Sequence, residues 1–206
     1  MTGAPPPALP VLILAAGASS RMGARDKLTE QVGGEPMIRR TVRAALATGA
    51  PVIVVVPPDR PARRAALAGL PVATVIARDA AQGMAASLRA GIAALPRDAA
   101  GVMVLPADMP GLTADALQAV IAAFAAAPSG IHRGATADGR PGHPTVFPAD
   151  LIPALTLVEG DEGGRSVIAA HLNRLRLVPL PGDAAVLDLD TPDDWEAFRA
   201  GPSGGD

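Results

Sequence analysis

The chain has no cysteine. That absence excludes disulfides, zinc–thiolate sites, iron–sulfur clusters and a cysteine nucleophile together. Aromatic residues are scarce, at 2%, so the core has to be assembled from Val, Leu, Ile and Ala. An excess of basic charge is missing as well. With a net charge of −2 there is no field to neutralise a long phosphate backbone, and nucleic acid is not an expected partner. No apolar run reaches membrane-spanning length, and the proline-rich stretch over 1–10 has no basic segment leading into an apolar one. A soluble, cytoplasmic protein without a membrane partner is expected. The last scarcity is lysine: among 18 basic residues only Lys27 is one. A compact ammonium and a planar guanidinium do different work, so a lone lysine in an arginine-rich chain marks its position for scrutiny.

What is present is an alternation. Unbroken apolar runs over 11–14, 52–56, 72–76 and 102–105 read as strands covered on both faces. Ala-, Leu- and Arg-rich stretches over 36–48, 60–68, 85–95 and 113–127 read as the helices between them, with Pro36 at N1 of the first and Thr113 as N-cap of the last. This rhythm predicts an α/β fold with a Rossmann-like, doubly wound, mostly parallel sheet in a single domain over 1–206. Beyond residue 130 the rhythm loosens. Strands are predicted over 144–147, 175–180 and 186–189, with a helix over 166–173. Residues 1–130 are then a nucleotide-binding half, 131–200 a substrate-facing half, and 201–206 a tail.

Ligands in such sheets sit beyond the carboxyl ends of the strands. The segment Leu14-Ala15-Ala16-Gly17-Ala18-Ser19-Ser20-Arg21-Met22-Gly23 leaves the first strand at that end, and Lys27 follows it. It is neither a Walker A sequence nor a GxGxxG fingerprint, which disfavours a nicotinamide oxidoreductase. Its chemistry still suits phosphate: glycines for close backbone approach, Ser19 and Ser20 hydroxyls, and a guanidinium on Arg21. Asp108, in Pro106-Ala107-Asp108-Met109-Pro110, ends another strand and is placed to hold Mg²⁺, which needs only one or two protein carboxylates. Asp188 and Asp190, two apart in a predicted strand, share a face, and one of them is expected to complete the metal shell. Thr191 and Pro192 then open a helix, which explains Asp193 and Asp194 as first-turn acids. Ser87 is either a contact to a nucleoside or a local cap. His143 lies in a tight loop, and the loop over 160–165 precedes a helix. His132 and His171 read as structural.

Taken together, the loop with Asp26-Lys27-Leu28 and Asp108-Met109-Pro110 resembles the MobA/MocA-type nucleotidyltransferases, along nearly the whole chain. Gly83-Met84, Ser87-Leu88 and Gly91 are similar to that family's GMxxSLxxG segment, and Gly142-His143-Pro144 to its GHP loop. Gly160-Asp161 with Gly164-Arg165 resembles GDxGAR, with Gly164 in place of Ala, and 190–194 resembles DTPED. The GHP and GDxGAR segments are closest to the cytidylyl branch, and Ala16 stands where the guanylyl branch favours Gly. The resemblance implies a nucleotide-diphospho-sugar transferase-like fold and transfer of CMP from CTP to a phosphate acceptor, molybdopterin, with Mg²⁺ as cofactor. It also implies a molybdoenzyme maturation partner. By that likeness Arg21 and the amides of Leu14, Ala15, Ala16, Gly17, Ala18 and Ser19 hold the triphosphate, with Gly83 and Ser87 near the nucleoside. Lys27 neutralises charge, Asp108 with Asp190 or Asp188 holds the metal, and His143, Asp161 and Arg165 face the acceptor. GTP, a sugar phosphate acceptor, and a non-catalytic nucleotide-binding or cofactor-delivery module are the alternatives.

Overall fold

The structure, a computed structural model, describes residues 8–19, 22 and 25–200. In chain order the elements are β1 (Val11–Leu14), β2 (Gln31–Val32), β3 (Glu35–Pro36), α1 (Met37–Leu46), β4 (Val52–Val56), α2 (Pro61–Ala66), β5 (Ala73–Ile76), α3 (Met84–Ile92) and β6 (Gly101–Pro106). There follow α4 (Ala114–Ala126), β7 (Ile131–Ala135), β8 (Pro141–Pro148), α5 (Ile152–Leu155), α6 (Arg165–Ala170), β9 (Leu175–Pro179) and α7 (Pro192–Ala200).

The apolar strands lack alternation because both faces of the sheet are covered. Val11, Ile13, Val54, Met103 and Leu105 pack with residues of α1, α4 and α7 in one core. Leu12, Ile53, Val55, Val102 and Val104 pack with residues of α3, α5 and α6 in the other. Burying a side chain of this size stabilises by roughly 1.5–3 kcal/mol, so a polar residue on either face of β1 or β4 is costly.

The seven-stranded sheet runs β5-β4-β1-β6-β8-β7-β9. β1, β4, β5 and β6 are mutually parallel, as expected. β8 is antiparallel to both neighbours, because the tight turn closed by Thr136 N–H to Arg140 O (3.0 Å) makes β7 and β8 a hairpin. Strand order reverses between β1 and β6, and the loops leaving their carboxyl ends therefore face one crevice.

Three expectations need correction. Pro36 ends β3 and is the N-cap of α1, one place before N1. The helix of 166–173 stops at Ala170, and Leu172–Arg174 is a separate 3-10 turn. Residues 186–189 form no strand: the amides of Val186 and Leu187 both bond to Asp183 O at 2.9 Å, so this backbone is used in a turn and joins no ladder.

Candidate active site

The crevice opens into a cavity of about 850 Å³. From the loop after β1, Leu14, Ala16, Gly17, Ala18 and Ser19 line it, and Lys27 follows them. Gly83 and Ser87 line it from α3, Asp108 from the end of β6, and His143 from β8. Asp161, Arg165, Asp188 and Asp190 complete the expected set. Ala15 does not reach it, being wholly buried in the core beneath the loop. Arg21, Ser20 and Gly23 lie outside the described residues.

Lys27 is placed by its neighbours in sequence. Asp26 caps the 3-10 turn Lys27–Thr29, accepting the Leu28 amide at 3.2 Å, and Leu28 is buried in the core. The Lys27 ammonium then reaches across the crevice to Asp108 Oδ2 and Asp190 Oδ1 at once. Burial pulls its pKa down, but the charges of and hydrogen bonds to Asp108 and Asp190 outweigh that, and the net shift is upward. Lys27 is therefore fully charged at neutral pH.

Asp190 is held from behind. Asp194 Oδ2 accepts the amides of Asp190 (3.1 Å) and Thr191 (2.7 Å), and Thr191 Oγ1 accepts the Asp194 amide at 3.2 Å. This reciprocal cap starts α7, whose Trp195 is buried in the core. Leu189 is buried too, and its amide donates to Asp108 O at 3.3 Å. Asp188 and Asp190 flank that anchor and both line the cavity, so they share a face without being in a strand. The Asp188 carboxyl is pushed up, first by partial desolvation and then by the charges of Asp190 and Asp108.

Oxygen donors fit a hard divalent ion here. Asp108 Oδ1 is buried and has no hydrogen-bond partner, an arrangement with a desolvation cost that a cation would relieve. Among the described residues no group of three or more His, Cys, Asp and Glu forms a protein-only cage, so such an ion would draw further ligands from substrate and water.

The loop after β1 owes its shape to two arginines that sequence reasoning missed. Arg63, on α2, is 0% exposed, and all its N–H groups are used. Nη1 donates to Ala15 O (2.6 Å) and Gly17 O (2.8 Å), Nη2 to Ser19 Oγ (3.1 Å) and Asp26 Oδ1 (2.9 Å), and Nε to Asp26 Oδ2 (2.8 Å). Arg60 Nη2 adds a bond to Ala18 O at 3.2 Å. The loop's carbonyls are thus drawn back toward α2. The Ser19 hydroxyl, expected to meet phosphate, is engaged with Arg63 and Asp26 instead. The only sequence signal was an arginine amid Ala and Arg in a short helix, and such residues usually face solvent.

On the opposite lip, Asp161 Oδ1 accepts the Met84 amide at 2.9 Å and Gly160 O accepts the Ala85 amide at 2.9 Å. Asp161 therefore fastens its loop onto the start of α3, and one of its oxygens is not available to an acceptor. Gly83, at φ 106°, permits this approach, since a Cβ there would lie 2.7 Å from Asp161 Oδ1. Ser87 is buried within α3, and the N-cap is Gly83, which rules out the local-cap alternative for Ser87. Gly164 also has a packing reason: a Cβ on it would lie 2.5 Å from Phe147 Cζ.

His143 lines the cavity with its Nδ1 buried and without a partner. Burial, then the charge of Arg133, lowers its pKa from 6.5 to about 4, so it is neutral near pH 7. Arg133, which the sequence did not single out, lines the same wall and fixes its Nε on Gly142 O at 2.8 Å. His132 and His171 are structural as expected, bonded to Ala127 O and Val167 O, each at 2.9 Å.

The Lys27 ammonium thus bridges two carboxylates at the switch point of a doubly wound sheet, beneath a loop with its carbonyls tied back. The chain belongs to the MobA-like NTP transferase family, whose domain model matches residues 11–175, and this is a family of nucleotidyltransferases. It is 32% identical to a molybdenum cofactor guanylyltransferase of Cupriavidus metallidurans over 89% of this chain and 90% of that one. It is also 36% identical over 122 residues to the bifunctional protein GlmU of Leifsonia xyli, which covers 57% of this chain. The chain spans about a quarter of the length of the GlmU relatives, 25% in that case. Among solved structures it is similar to Rv0371c of Mycobacterium tuberculosis, at 26% identity and a TM-score of 0.82, covering 94% of this chain and 98% of that one. A manganese complex of Rv0371c superposes with a TM-score of 0.78 at 25% identity, covering 93% and 97%. No helix among the described residues is long and apolar enough to cross a membrane.

Proposed function

We propose that this chain transfers CMP from CTP to the phosphate group of a small acceptor of the molybdopterin type, releasing pyrophosphate, in the cytoplasm. The observation that carries this reading is the bridging of Asp108 and Asp190 by the only lysine, inside the cavity. In such a transfer an acceptor phosphate oxygen forms a bond to the α-phosphorus, and the bond from that phosphorus to the β-phosphate oxygen breaks. No protein nucleophile takes part, so catalysis reduces to positioning and charge stabilisation.

The amides of Ala16, Gly17, Ala18 and Ser19 would meet the triphosphate, with Leu14 beside them, and the family likeness adds Arg21 as a further cationic contact. Lys27 supplies a fixed positive charge where negative charge grows on the departing pyrophosphate. Asp108 and Asp190 would hold Mg²⁺, with Asp188 beside them, and that ion supplies Lewis-acid neutralisation of the phosphate oxygens. The coarser support is the relative bound to manganese. Gly83 and Ser87 border the nucleoside, and His143, Asp161 and Arg165 border the acceptor. Residues 1–130 then bind nucleotide, 131–200 shape the acceptor side, and a molybdoenzyme maturation partner would receive the product.

CTP is favoured by Ala16, which lines the cavity at a position where the guanylyl branch of the family favours a glycine. GTP is the second reading, supported by the likeness to the guanylyltransferase of C. metallidurans. Incubating the protein with each nucleoside triphosphate, Mg²⁺ and molybdopterin, and assaying pyrophosphate, tests both. CTP-dependent release is expected; release with GTP alone selects the second reading, and release with neither and with no other phosphate acceptor ends both.

A further inference from the structure

Five of the arginine side chains described here have a fixed carboxylate partner: Arg43 with Glu35, Arg63 with Asp26, Arg140 with Asp183, Arg174 with Asp150, Arg199 with Glu30. Arg133 and Arg165 do not. Both line the cavity, and among the described residues neither has a carboxylate within ion-pair distance. They also stand close enough to repel. Burial first, and then the charge of Arg165, lowers the pKa of half-buried Arg133. Placing two like charges in one partly desolvated wall is unfavourable unless an anion is to be received there.

The rest of the wall fits an anion. Three of the cavity's carboxylates are committed elsewhere: Asp108 and Asp190 hold Lys27, and Asp161 holds the Met84 amide, while Asp188 and Glu162 line the cavity without an ion pair to Arg133 or Arg165. His143 is neutral and presents a buried Nδ1 with no protein partner, able to exchange one hydrogen bond with a phosphate oxygen or its proton. The Nε of Arg133 is anchored on Gly142 O, which leaves its terminal nitrogens as the free end of a pre-set fork. The geometry points to an anion subsite, made by Arg133 with Arg165 and His143, that takes the phosphomonoester of the acceptor, separate from the Lys27 end that meets the triphosphate. This rests on the nucleotidyl-transfer reading only for naming the anion's owner.

Calorimetric titration of the full chain with inorganic phosphate tests it, alone and after saturation with α,β-methylene CTP and Mg²⁺. Phosphate is expected to bind in both states, and Arg133→Gln to weaken it at least ~10-fold while nucleotide affinity stays within about 2-fold. Arg165→Gln, an exposed change, is expected to weaken it similarly and decides the matter if Arg133→Gln does not melt cooperatively. Phosphate affinity unaltered in a folded variant, no phosphate binding by the wild type, or displacement of phosphate by the nucleotide analogue overturns the assignment, the last because the anion would then belong to the triphosphate. Arginine-dependent phosphate binding in a protein that releases no pyrophosphate would uphold the subsite while ending the transferase reading.

Discussion

Arg63 and Asp26 form a two-point ion pair under the loop after β1, Nε to Oδ2 at 2.8 Å and Nη2 to Oδ1 at 2.9 Å, with the arginine 0% exposed. Asp26 also starts the turn that carries Lys27, so one buried guanidinium ties the loop after β1 to the lysine. Removing one partner of a buried pair costs about 3–5 kcal/mol, because the other charge is left unpaired. Arg63→Met is expected to lower the urea midpoint accordingly and to raise the KM for nucleotide in whatever folded protein remains. Arg63→Lys is expected to recover little, since three donors on a point charge cannot replace a five-donor fork. A variant with unaltered stability and KM would show that the loop shapes itself.

At Gly164 the structure predicts a steric cost. The nearest atom to an added methyl is Phe147 Cζ at 2.5 Å, from a ring that is 2% exposed. Gly164→Ala is expected to destabilise by about 1–3 kcal/mol through overpacking. In a Phe147→Leu background that cost should largely vanish. A double-mutant cycle on urea unfolding measures the coupling, and strict additivity would show that the ring does not confine residue 164.

Ala16 gives a specificity prediction. Ala16→Gly installs at this lining position the residue that the guanylyl branch favours, and is expected to raise kcat/KM for GTP relative to CTP by about 10-fold, the scale of one methyl group's discrimination. The ratio from competition assays checks it. An unchanged ratio would move base selection to another residue.

His143 sets a pH dependence with a definite sign. Its folded pKa, about 4, lies below the unfolded 6.5, so between those values the unfolded chain binds more protons. The stability it supports is complete above pH 6.5 and is lost as pH falls toward 4, by on the order of 2–3 kcal/mol. His143→Gln should flatten the unfolding free energy across that window relative to wild type. Parallel pH profiles would place the ionisation elsewhere.

Much of this was legible beforehand because it follows from local chemistry. The runs at β1, β4 and β6 had to be covered on both faces, and Thr113 does cap α4, accepting the Ala116 amide at 3.3 Å. Lys27 stood out by its rarity, Asp108 by its strand-end position, and Asp190 by its two-residue spacing from Asp188. Asp188 and Asp190 face the cavity as expected, yet for a different reason: buried Leu189 and the cap of α7 orient them, with no strand involved. What stayed hidden depended on long-range pairing. Arg63 and Arg133 look like solvent-facing arginines in sequence, and only the fold shows one wholly buried and the other inside the cavity.

Single-turnover kinetics with α-labelled CTP, Mg²⁺ and molybdopterin test most directly whether the Lys27–Asp108–Asp190 centre performs the transfer. Lys27→Met and Asp108→Ala are each expected to slow the chemical step by at least ~10²-fold, the scale of losing one transition-state contact, with thermal melts confirming that the variants fold. Lys27→Arg should also be slow, because a broad fork cannot sit between the two carboxylates. Either Lys27→Met or Asp108→Ala turning over at a near wild-type rate would contradict the account.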